Sequence, residues 1–105
     1  MYNKNIILDN YKINGSALDN INDELKDDKE FILKAVKIDG WALKHASDRL
    51  KDDFDVVVEA VKYSQAIIQF ASDRLRFDEK IKYEMNHAWE LRNIKDIKKI
   101  KGKIR

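Results

Sequence analysis

Phe31, Ile32, Ala35 and Val36 fall at i, i+1, i+4 and i+5, the spacing that lines one side of a helix. Ala42, Leu43, Ala46 and Leu50 form a second apolar series beyond Asp39-Gly40. The pattern then recurs. Ala46-Ser47-Asp48-Arg49-Leu50 returns as Ala71-Ser72-Asp73-Arg74-Leu75, 71 − 46 = 25 residues later. Asp27-Asp28 falls on Asp52-Asp53, and Ala35-Val36-Lys37 on Ala60-Val61-Lys62. In the other direction, Ile13-Asn14-Gly15 answers Ile38-Asp39-Gly40, and Ala17-Leu18 answers Ala42-Leu43. A fixed period of this length marks a repeat of small helical units. The units are 2–26, 27–51, 52–76 and a degenerate fourth from 77 onward.

Each unit predicts two short helices. The first starts at an acidic cap, with Asp27 three residues before Glu30 and Asp52 three before Asp55. A break follows at Asn14, Asp39 and Ser64, all good N-cap types. Gly15 and Gly40 beside it ease a sharp turn. The second helix is expected from about Trp41 to Leu50, with Ala46 and Ala71 small where helices meet.

The end units differ as end units should. Positions 31/35 and 32/36 make two apolar strips, one for each neighbouring unit. In the fourth unit Ile81 and Met85 keep the first strip, while Lys82 and Asn86 replace the second. In the first unit Ile7 and Tyr11 keep the second, and Asn10 interrupts the first. A terminal unit with one neighbour needs one wettable side. Ile81, Met85, Ala88 and Trp89 predict one longer helix over about 78–92, closing the end. The expected fold is all-α: a short right-handed, solenoid-like array of helix-turn-helix units over 1–92. A basic amphipathic tail, 93–105, follows.

The run Asp27-Asp28-Lys29-Glu30-Phe31-Ile32-Leu33-Lys34-Ala35-Val36-Lys37-Ile38-Asp39-Gly40-Trp41-Ala42-Leu43-Lys44-His45-Ala46-Ser47 resembles a bacterial helical-repeat family, domain of unknown function 4116. The resemblance covers most of residues 4–78. It implies a helical repeat and supplies no functional residues. Arg49 and Arg74 depart from it, standing where the family more often looks acidic.

Composition narrows the classes. A chain of 105 residues has room for one domain with a modest core. Without Cys it forms no disulfide and no thiolate metal site. No apolar run is long enough for a signal peptide or a membrane span, so a cytoplasmic protein is expected. The net charge of +2 hides an asymmetry: 92–105 hold seven Lys/Arg and one Asp, or +6, leaving −4 for the rest. An anionic partner therefore concerns the tail.

Five places carry candidate chemistry. His45 precedes Asp48 by three residues and Arg49 by four, so one helix face would present all three. The matching positions are Asn20 and Phe70, which argues for a packing histidine instead. Arg49 and Arg74 form either surface ion pairs or a guanidinium row that grips an acidic peptide or phosphates. Trp41 fills a gap in the core or anchors an interface, and Trp89 continues an apolar stripe. In the tail, Lys98, Lys99, Lys101 and Lys103 alternate with isoleucines. That segment is a solvated end, a phosphate-contacting arm, a membrane-surface segment or a docking peptide. It lacks the aromatics that single-strand binders stack on.

No catalytic residue, metal site or cofactor is expected. The expectation is a non-enzymatic interaction module, an adaptor or a small inhibitor of a larger machine, an RNA-guided nuclease being one example. The alternative is weak, sequence-independent binding of RNA or DNA through the tail.

Overall fold

Helices here start where a short side chain can take up a free backbone N–H. In the computed structural model, which describes residues 4–87, Asn14 accepts from Ser16 N and Asp39 from Trp41 N, as their residue types predict. Asp28 accepts from Phe31 N and Asp53 from Val56 N. No strand occurs among the described residues.

Three long helices carry the apolar strips: α1 (Lys4–Ile13), α3 (Lys29–Ile38) and α5 (Phe54–Tyr63). Each is followed by a 3-10 segment, at Gly15–Leu18, Gly40–His45 and Gln65–Phe70. One-turn helices then complete the units: α2 (Asp23–Lys26), α4 (Asp48–Lys51) and α6 (Asp73–Arg76). A seventh helix, α7, covers 79–87 and is capped by Asp78, whose Oδ1 accepts from Lys80 N at 2.8 Å. The expected continuation to 92, Trp89 and the tail lie outside the described residues.

The single second helix expected over 41–50 is corrected to two pieces. Ala46 is extended, at φ −71° and ψ 156°, and breaks the helix before Ser47. Ser47 then caps α4 by accepting from Leu50 N at 3.3 Å, while its own N–H donates to Lys26 O at 2.8 Å. Ser72 does the same for α6, donating to Lys51 O at 2.9 Å. These N–H groups leave the local helix for a carbonyl in the chain that precedes the unit, which 3.6-residue periodicity does not reveal.

Two further expectations change. Asp27 and Asp52 are not N-caps: each ends the preceding one-turn helix, and the following aspartate caps the next. Ser64 stands at its N-cap place but makes no side-chain cap hydrogen bond.

The strips are buried as drawn. Phe31, Ile32, Ala35 and Val36 on α3 are covered, as are Val56, Val57, Ala60 and Val61 on α5. α1 packs on α3, and α3 on α5. At the ends, Ile81 is buried while Lys82 and Asn86 are exposed; Tyr11 is buried while Ile6 and Asn10 are exposed. Leu25, Leu50 and Leu75 plug the same position in successive one-turn helices. Each buried leucine contributes about 1.5–3 kcal/mol, more than an exposed ion pair gives. Apolar burial therefore holds these elements, and the polar contacts fix their register.

Gly40 serves close approach rather than a turn. A Cβ there would meet Ala60 O at 2.5 Å and Tyr63 Cβ at 2.6 Å, and among the described residues no glycine has a positive φ. Gly15, at the matching place, has open space around it.

Candidate interaction surface

The most regular polar feature is a clamp formed twice. Asp27 Oδ1 accepts the Ser47 hydroxyl at 2.6 Å and Arg49 Nε at 2.8 Å. Arg49 Nη2 also donates to the Asp27 carbonyl at 2.7 Å. At Asp52, Ser72 and Arg74 repeat the set at 2.6, 2.9 and 2.9 Å. Each clamp closes 22 residues into a loop, tying the start of a unit to its last turn. The Ser47 hydroxyl, then Arg49, holds Asp27 below the usual carboxylate range. At Asp52 the order reverses, with Arg74 first and Ser72 second.

Of the two readings of Arg49 and Arg74, surface ion pairs or a ligand-gripping row, the contacts found are ion pairs within the chain. These arginines do not pair with the adjacent Asp48 and Asp73. A guanidinium has five N–H donors, and these contacts use Nε and one terminal nitrogen. The outer edge of each stays open, with side chains 61% and 64% exposed.

A second set of charges ties the first unit to the second and the second to the third. Lys4 pairs with Asp28, the cap of α3, and Lys29 Nζ lies 3.1 Å from Asp53, the cap of α5. Lys29 also reaches Asp55 at 3.1 Å. Lys4, then the Phe31 N–H, lowers the Asp28 carboxyl.

His45 does not share a helix face with Asp48 and Arg49. It ends the second 3-10 segment, while the other two belong to α4 beyond the extended Ala46. Its near carboxylate is Asp19, from the unit before, with Oδ1 at 3.5 Å from Nε2. Sequence spacing missed Asp19 because the contact spans two 3-10 segments. Trp41 is half-buried and meets Phe70 edge-on, centroids 5.8 Å apart and planes at 76°. It packs between units as a core-edge residue. Lys98, Lys99, Lys101 and Lys103 lie outside the described residues.

One further row is marked by the 25-residue period and by no motif. Lys12-Ile13, Lys37-Ile38 and Lys62-Tyr63 occupy the same place at the ends of α1, α3 and α5. A lysine there complements the negative end of the helix dipole. That accounts for the cations but not for their neighbours: Ile13 is 90% exposed and Tyr63 50%. Lys12 and Lys62 lean on Asp9 and Glu59 at 3.4 and 3.6 Å. Ile38, at the middle place, is half-buried against the core, so the exposed apolar side chains of this register stand on α1 and α5, a feature expected of a contact surface.

The family described as Domain of unknown function (DUF4116) matches residues 3–51 and again 28–76. The two matches begin 28 − 3 = 25 residues apart, the period of the sequence. No curated protein and no solved structure matches the chain.

Proposed function

We propose a function for this chain, which belongs to the DUF4116 family: a non-enzymatic, protein-binding module built as a short helical-repeat array. One observation carries the proposal, the recurrence of the Asp-Ser-Arg clamp and of the Lys–Asp cap contact at a spacing of one unit. Units that share contacts in register present their side chains in register as well. The partner then lies across the ends of α1, α3 and α5, meeting a lysine in each and the exposed Ile13 and Tyr63 on the outer two. Such a module acts by occupying a surface of a larger assembly, as an adaptor or an inhibitor.

Arg49 and Arg74 make poor probes of binding, because replacing them also opens the clamp. The better test places a photo-crosslinking residue at Ile13 or Tyr63 in the native host. The same protein should be captured from both sites and not from Lys44, which is exposed on the 3-10 segment after α3. Capture from Lys44 alone would place the contact on another face and end the proposal.

A second reading has one observation in its favour, the +6 charge of 92–105. It gives weak nucleic-acid binding that falls steeply with salt. Removing the residues after Arg92 should abolish it, and binding that survives the truncation would exclude the tail.

A further inference from the structure

His45 is held in an unusual way for an imidazole. Its Nε2 is shielded from solvent and has no hydrogen-bond partner among the described residues. The side chain as a whole is 14% exposed. Asp19 Oδ1, at 3.5 Å, is beyond ordinary hydrogen-bond length. Asp19 closes the first 3-10 segment and His45 closes the second, so the contact lies at the junction of the first two units.

The charges around the ring are unbalanced. Lys44 is on its own segment, Lys26 on α2 and Lys51 on α4, against the one carboxylate of Asp19. Burial first, then Lys44, pushes the imidazole below its ordinary range, while Asp19 pulls the other way. The next unit supplies an independent argument. The matching position there is Phe70, packed edge-on against Trp41. The matching place in the next unit thus holds a ring that carries no charge.

We propose that His45 is a proton-operated latch between the first and second units: the neutral ring seats the first unit, and protonation loosens it. The latch is independent of the binding surface proposed above. A histidine that is harder to protonate when folded stabilises the fold fully above its unfolded value of about 6.5. That contribution is lost as pH falls through 6.5 toward the lower folded value. Asp27, Asp28 and Asp52 lose theirs only as pH falls through the carboxylate range and below it, so mild acid isolates His45. The other histidine, His87, is exposed and stacked on Tyr83 in α7.

The test is amide hydrogen exchange of the full chain at about pH 7.5 and about pH 5.5, corrected for intrinsic rates. Residues 4–18 should lose protection at the lower pH relative to α5. His87→Gln should behave as wild type, and His45→Phe should abolish the pH dependence. Asp19→Asn should deepen it, since the one favourable charge among the described residues is gone. The His45 ring resonance, followed by NMR in the unmodified chain, gives a readout that does not depend on the variants folding. Its midpoint should lie below about 6.5. Titration at or above that value, or a loss of protection that persists in His45→Phe, would overturn the latch.

Discussion

Asp27 accepts Arg49 Nε at 2.8 Å across 22 residues of sequence, and a unit later Asp52 accepts Arg74 Nε at 2.9 Å. Two carboxylates that a local pattern assigns to helix starts thus serve to close units. Both are held below the usual carboxylate range, so their contribution to stability is present near neutrality. It is lost as pH falls through their folded values. Asp27→Asn combined with Asp52→Asn should lower the melting temperature at neutral pH and flatten the acid limb of the stability curve. Thermal melts across the acid range check this; an unchanged acid limb contradicts the clamp.

The two glycines should respond oppositely to alanine. Gly40→Ala forces a Cβ into Ala60 O and Tyr63 Cβ and should cost about 1–3 kcal/mol. Gly15→Ala meets open space without a positive φ and should be neutral or stabilise by about 0.5–1 kcal/mol. Chemical denaturation of the two variants side by side measures the difference.

Ala46 and Ala71 are 6% and 7% exposed, so Ala46→Asp or Ala71→Asp buries an unpaired charge. Each should cost about 3 kcal/mol or more. Lys44→Asp, on an exposed position, should change stability by about 0.5 kcal/mol or less. Equal losses in urea melts would show that the inward face is misassigned.

Trp41 and Phe70 meet edge-on between units. A double-mutant cycle with Trp41→Leu and Phe70→Leu should give a coupling of about 0.5–1.5 kcal/mol. A coupling of zero would remove the ring pair from the junction.

Much of this was legible in the sequence, and the misses have physical causes. The strips at 31/35 and 32/36 set which helix faces are covered, because burial follows the 3.6-residue period. Lys82 and Asn86 are exposed for the same reason. Asn14 and Asp39 cap as their residue types predict. Asp27-Asp28 did not resolve, because adjacent aspartates are equally good caps and only a distant arginine separates their roles. The break at Ser47 carried its own signal, an N-cap residue inside an apolar series, repeated at Ser72. The His45–Asp19 approach had none, since nothing in the spacing links two residues in different units. The Lys12, Lys37 and Lys62 row was available from the period, once each lysine was considered with its apolar neighbour.

The central claim is that successive units hold one another through the same contacts, one period apart. Inserting a second copy of residues 27–51 after Lys51 tests it most directly. The copied Phe31/Ala35 strip then meets the original Ile32/Val36 strip, and Lys51 takes the place of Lys26 at the junction. Urea denaturation should give one cooperative transition with a higher midpoint and a steeper slope than the parent chain, as an added unit requires. A lower midpoint, or a separate early transition for the inserted segment, would contradict it.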